Sequence, residues 1–198
     1  MTSWLIVGLG NPGREYEGNR HNVGFMAVDA LADAYGSGSW KNSFQSELRS
    51  ASIDGLSVLL QKPQTYMNLS GESVGAAMRY YKISLENVIV IHDELDIPAM
   101  SVRIKQGGGN GGHNGLRSID QHCGQNYWRI RIGIGHPGDK DRVTGHVLND
   151  FTREEQENLQ PVLKALTKHF GLMLDEQSSK LLKLLPQPEI KKETENGL

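Results

Sequence analysis

A single cysteine, Cys123, stands among 198 residues, which excludes an intrachain disulfide and suits a reducing compartment. Nothing around Cys123 resembles an activating motif, so it is assigned to packing rather than to nucleophilic chemistry. No apolar run approaches the ~20 residues needed to cross a bilayer. The opening MTSWLIVGLG also lacks the basic start and small-residue cleavage site of a secretory leader. The expected location is therefore the cytoplasm, away from membranes. Familiar catalytic strings are missing as well. There is no His-Glu-x-x-His or Cys/His ligand spacing for zinc and no Gly-Lys-Ser/Thr for a P-loop, and no Gly-x-Ser-x-Gly elbow for an acyl-serine route is expected. Neither a metal nor a cofactor is expected. An excess of either charge is absent too, since 21 Lys and Arg face 23 Asp and Glu. Net charge thus neither favours nor excludes nucleic acid, which needs only a local basic patch.

What is present reads as strands alternating with helices. Trp4-Leu5-Ile6-Val7 is a short buried strand that runs into glycines. Phe25, Met26, Val28, Ala32 and Tyr35 recur at helical spacing after Asn22, and Gly36 ends them. Residues 46–53 and 56–61 flank Asp54-Gly55, a strong hairpin signal. The spacing of Val74, Ala77, Met78 and Tyr81 predicts a helix over 70–82. Asn87 to Ile91 is a second buried strand, ending at His92-Asp93-Glu94, and residues 101–105 form another. A short helix is expected over 116–122. Residues 128–135 alternate apolar side chains with Arg129 and Arg131, the pattern of a strand with one polar face. An amphipathic helix spans 153–174, a shorter one 176–185, and residues 186–198 form a polar tail expected to be disordered. The fold expected over residues 1–185 is one three-layer α/β/α domain with a mixed, mostly parallel, twisted sheet.

Two glycine loops invite functional readings. Gly8-Leu9-Gly10-Asn11-Pro12-Gly13 has the letters of a dinucleotide-binding turn directly after a strand. The following Arg14 to Arg20 is polar and aperiodic, however, and no acidic residue ends a second strand ~20 residues on. The second loop, Gly107 to Gly115, holds five glycines within residues 107–112. Ordering so much glycine is entropically costly, which favours a loop whose backbone must approach a ligand.

The chemistry centres on His21, in a polar loop at a helix start, where an imidazole can act as general base. Asp93, at a strand end, suits the carboxylate that orients that ring and stabilises its protonated form. Asn11, Asn68 and Asn114 lie in loops or helix starts and offer neutral amides for a carbonyl. Base, carboxylate, amides and a water describe hydrolysis of an acyl group without a covalent intermediate. His92, Asp93, Glu94 and Asp96 could suggest a metal, but neighbours on a strand point to opposite faces. His92 is better read as a packed or hydrogen-bonded support, and His113 as secondary.

Five stretches carry a resemblance: residues 7–24 (VGLGNPGREYEGNRHNVG), 63–71 (PQTYMNLSG), 92–98 (HDELDIP), 107–119 (GGGNGGHNGLRSI) and 129–140 (RIRIGIGHPGDK). In their order and spacing they resemble the bacterial peptidyl-tRNA hydrolase family. That resemblance implies hydrolysis of the ester joining a peptide to tRNA, with His21 as base and Asp93 as its partner. It implies Asn11 on the scissile carbonyl or the neighbouring amide, with Asn68 and Asn114 on the peptide main chain and the water. Tyr16 and Tyr66 would line the cleft and stack near the terminal adenosine, Tyr66 standing where relatives often carry phenylalanine. Lys105 and Arg131 would clamp the tRNA 5′-phosphate. The resemblance further implies a monomer with peptidyl-tRNA as partner, no obligate protein partner and no cofactor. Residues 136–155 are the candidate lid. Three rivals stay open at this stage: a nucleotide-dependent oxidoreductase, a non-catalytic RNA-binding protein, and a hydrolase of small acyl substrates.

Overall fold

The computed structural model describes residues 4–188. Its centre is strand β1 (Trp4–Gly8), every residue of which is buried. A strand with such an unbroken apolar run must be covered on both faces. Helix α1 (Val23–Tyr35) follows, then β2 (Gly36–Ser43), β3 (Ser46–Ile53), β4 (Leu56–Pro63), α2 (Ser70–Tyr81) and β5 (Val88–Glu94). The chain continues through β6 (Val102–Gln106), α3 (Asn114–Cys123), β7 (Trp128–Gly133) and α4 (Val143–Leu148). It closes with α5 (Arg153–Lys168), α6 (Gly171–Leu174) and α7 (Ser178–Leu184).

The seven strands form one sheet in the order β2-β3-β4-β1-β5-β7-β6. The β4–β1, β1–β5 and β5–β7 ladders are parallel, and the two at one edge and the one at the other are antiparallel. The mixed sheet expected from the sequence is thus present, with its parallel ladders at the centre. Alternating side chains divide the core. Trp4, Ile6, Ile89, Ile91, Ile130 and Ile132 face α1 and α5 to α7, whereas Leu5, Val7, Val88 and Val90 face α2 and α3. Each such side chain contributes about 1.5–3 kcal/mol by leaving water.

The β3–β4 hairpin turns on Asp54 (φ 49°) and Gly55 (φ 81°), the paired left-handed conformation that matches strand twist. Two elements depart from expectation. Apart from Trp40, Gly36 to Ser43 lacks strand-forming residues, yet it pairs with β3 as an edge strand with an irregularity between Ser37 and Lys41. The helix expected over 153–174 breaks after Lys168, and α6 starts at Gly171, where a Cβ would strike the Asp54 carboxylate. The hairpin needs that space. No helix among the described residues is long and apolar enough to cross a membrane. Of the expected tail, residues 189–198 lie outside the described residues.

β4 and β5 flank β1 on opposite sides, and α1 and α2 cover opposite faces. Chain connections therefore diverge beyond the carboxyl ends of β1, β4 and β5, where an open parallel sheet leaves a crevice.

Candidate active site

Three loops meet in that crevice. The first leaves β1 and carries Asn11. Between Gly13 and α1 it forms two short 3-10 turns, Arg14–Tyr16 and Arg20–Asn22, so no helix starts within the glycine motif. Gly8 and Gly24 instead allow strand and helix to approach; a Cβ on Gly8 would strike the Gly24 carbonyl. The dinucleotide reading loses its structural basis. The absence of a Gly-x-Ser-x-Gly elbow needs one correction, because the letters do occur at Gly71 to Gly75, but inside α2. There Ser73 is fully buried and its Oγ accepts from Gln61 Nε2 at 3.0 Å. It is no nucleophile.

His21, in the second 3-10 turn, meets Asp93 near the end of β5. Its Nδ1 lies 2.9 Å from both carboxylate oxygens. His113 Nε2 reaches Asp93 Oδ1 at 2.8 Å, and the two imidazole centroids are 4.9 Å apart. The protons can be placed by following the bonds. His113 Nδ1 accepts from the backbone N–H of Gly115 (3.1 Å) and Leu116 (3.4 Å), capping α3, so Nε2 carries the proton given to Asp93. His21 likewise donates through Nδ1, leaving Nε2 unprotonated on a ring that lines the cleft. Burial alone would raise the Asp93 pKa, but the two imidazoles hold its carboxyl well below the ordinary carboxylate range. His92 points to the other face of β5, where burial, with His113 beside it, pushes its pKa down to about 3. The neutral ring donates through Nδ1 to the Asp93 carbonyl at 2.7 Å, the support expected of it.

Asn11 is fixed on three sides. Its N–H donates to Asn22 Oδ1 and its C=O accepts from Asn22 Nδ2, both at 2.9 Å. Its side-chain Oδ1 accepts from the Met67 N–H at 2.8 Å. That bond assigns the amide orientation and leaves Nδ2 as a donor at the cleft. Asn68 stands on the Met67–Leu69 turn and Asn114 opens α3; both line the cleft, as does Tyr66, 60% exposed at the rim. The cleft encloses about 830 Å³, and Lys140 with Val143, Thr144, Val147 and Leu148 of α4 form its far wall. Residues 136–155, expected as a lid, thus supply this wall.

Not every expected residue joins the cleft. Tyr16 sits half-buried in the first 3-10 turn and is not among the residues lining it. Lys105 and Arg131 also lie outside it, on β6 and β7. The register pairs Lys105 with Arg129 and Arg103 with Arg131, so Lys105 and Arg131 are diagonal neighbours on one face. Burial first and the Arg131 charge second lower the Lys105 pKa. The polar face expected on β7 is present, and Arg129 shows that part of it looks inward. That arginine is fully buried, donating to the carbonyls of Gly108 and Gly109 and approaching Asp120 at 3.4 Å. Its guanidinium anchors the second glycine loop from beneath.

Sequence reasoning passed over Arg20, Asn22, Arg129 and the full part of His113. A usable signal existed for His113, since a polar residue directly before a short helix is a cap candidate. The ligating atoms of His21, Asp93 and His113 lie within 4.8 Å of one another, close enough for a metal ion. Each imidazole proton is already committed to the carboxylate, however, and that bonding suits proton transfer.

Comparison with known proteins agrees with this geometry. Residues 5–193 match the family profile described as peptidyl-tRNA hydrolase. A protein of that description from Rhodospirillum centenum is 57% identical over 187 residues, covering 93% of this chain and 82% of the relative. One from Bartonella quintana is 53% identical over 171 residues, covering 86% and 89%. The crystal structure of peptidyl-tRNA hydrolase from Acinetobacter baumannii superposes with a TM-score of 0.86 at 44% identity, over 92% of this chain and 94% of that one. With the family profile matched over residues 5–193 and curated relatives more than half identical, the chain belongs to the peptidyl-tRNA hydrolase family.

Proposed function

We propose that this chain, an enzyme of that family, cleaves the ester between peptide and tRNA by water activated at His21. The supporting observation is the Nδ1–H bond from His21 to Asp93, which leaves Nε2 as the free nitrogen of a cleft-lining ring. Nε2 takes the proton from water as the water attacks the ester carbonyl carbon. Asp93 stabilises the imidazolium so formed, and His113 fixes the carboxylate from the other side. Asn11 Nδ2 donates to the carbonyl oxygen as negative charge grows there, while Asn68 and Asn114 hold the peptide main chain and the water. The imidazolium then returns its proton to the departing ribose oxygen. A positioned base is worth about 10²–10⁴ in rate and one oxyanion donor about 10²–10³. An ester needs no covalent nucleophile for that sum to suffice.

Amide contacts to a peptide backbone ignore side-chain identity, which suits an enzyme facing every possible peptide. Lys105 and Arg131 supply the phosphate contact on the tRNA, through charge-assisted hydrogen bonds. Tyr66 stacks at the rim near the terminal adenosine; Tyr16, outside the cleft, has no such part in this reading. Every proposed group comes from one chain, so a monomer in the cytoplasm suffices. The deciding assay compares N-blocked with free aminoacyl-tRNA. The native enzyme is expected to cleave only the former, and His21→Ala to lose at least about 10²-fold in kcat while retaining tRNA binding. Near-native turnover by His21→Ala would remove the base from the scheme.

A further inference from the structure

We infer that Arg20 is a positioning residue that sets the far wall of the cleft against His21. This rests on the reading of that cleft as the active site. Arg20, His21 and Asn22 are three consecutive buried residues of one 3-10 turn, and each faces a different partner. His21 takes Asp93 and Asn22 takes Asn11. Arg20 faces the segment that joins α4 to α5. Its guanidinium forks onto Glu155, Nε to Oε1 at 3.2 Å and Nη2 to Oε2 at 2.8 Å. Nη1 donates to the carbonyls of His146 (3.1 Å) and Asn149 (3.4 Å). One cation thereby closes the carboxyl end of α4 and holds the carboxylate that caps α5, where Glu155 also accepts from the Thr152 N–H at 2.7 Å.

The backbone repeats the connection. Arg20 N–H donates to Asn149 O at 3.1 Å, Phe151 N–H donates to Gly18 O at 3.0 Å, and Asn19 Nδ2 reaches Asp150 Oδ1 at 2.7 Å. A Cβ at Gly18 would press on the Asp150 carboxylate. Residues 18–20 and 149–151 are thus fastened side by side, and α4 presents Val143, Thr144, Val147 and Leu148 to the substrate from just before the fastening. His21 keeps its own anchors in Asp93 and, through the same turn, in the bonds of Asn22 to Asn11. Arg20 therefore governs where the wall stands rather than whether the base is aligned.

The test measures kcat and KM with N-blocked aminoacyl-tRNA for Arg20→Lys, Glu155→Gln and the double variant, together with amide hydrogen exchange. Lysine keeps the charge but loses the fork. KM is expected to rise about tenfold, the scale of one lost charge-assisted hydrogen bond, with kcat within about twofold and its pH profile unmoved. The double variant is expected to be no worse than the worse single one. Amides of 143–148 should exchange faster while those of β5 do not, which separates a loosened wall from general destabilisation. A fall in kcat at constant KM, or exchange that quickens equally in β5, would overturn the assignment. Failure of His21 as base would appear instead in His21→Ala, leaving the KM and exchange readouts interpretable.

Discussion

At the scale of single residues, the site is a set of donors each given one acceptor. Asp93 accepts one hydrogen bond from His21 and another from His113, and it is neither exposed nor short of partners. His92 beside it is held neutral, because a charged imidazole with no exposure has nothing to compensate its lost hydration. This has a consequence for stability. As pH falls below the ordinary histidine value of 6.5, the unfolded chain takes a proton at position 92 while the folded chain does not, down to about 3. Stability is therefore complete above that window and lost as pH falls through it, with a slope of up to about 1.4 kcal/mol per pH unit for one proton. The lowered Asp93 pKa acts in the same direction but only below its ordinary 3.8, so between these values the histidine acts without it. Urea unfolding at successive pH values should show His92→Gln with a shallower loss than the native chain between about pH 6 and pH 4. Parallel curves would mean that His92 exchanges protons freely when folded.

At the scale of elements, the second glycine loop is the informative case. Its glycines would let it wander, yet it delivers His113 to Asp93 and opens α3 with Asn114. Arg129 removes that freedom by taking two of its carbonyls while the guanidinium lies 4.5 Å from the Tyr127 ring centroid. Arg129→Met should cost about 1–3 kcal/mol, since it removes the donor to two loop carbonyls and leaves Tyr127 as the remaining partner of Asp120, and should lower kcat by releasing the loop. A loss below about 1 kcal/mol in urea melts, the scale of a surface pair, would show the contacts to be incidental. The same strand shows where a sequence stops being readable. Alternation revealed that β7 has one polar face, but not that the face looks onto a loop rather than water. The hairpin at Asp54-Gly55 and the runs of β1 and β5 were legible because turn chemistry and burial on both faces are local properties. β2 was not, since Gly36-Ser37-Gly38-Ser39 becomes a strand only through the edge offered by β3. His21, Asp93 and Asn11 could be picked out by residue type and setting. Arg20 and Asn22 could not, because their partners lie 135 and 11 residues away.

At the scale of the whole molecule, the sheet spaces the two ends of the proposed substrate. Arg131 pairs in register with His92, so the proposed phosphate clamp starts one strand from the dyad and reaches a second at Lys105. Adjacent strands lie about 4.8 Å apart, which sets a fixed lateral offset between ester and phosphate. Lys105→Ala with Arg131→Ala should raise KM, leave kcat nearly unchanged, and flatten the plot of log KM against log salt by roughly one unit per lost contact. An unaltered slope would place the phosphate elsewhere. The fastening of residues 18–20 to 149–151 has a further meaning for an enzyme that is itself made as a peptide attached to tRNA. A chain still on the ribosome, with its first 130 residues emerged, has both members of the dyad but neither α4 nor Glu155. Its cleft lacks a side until residues 143–155 have followed. The base and its carboxylate can thus meet in a growing chain before the wall that faces them exists.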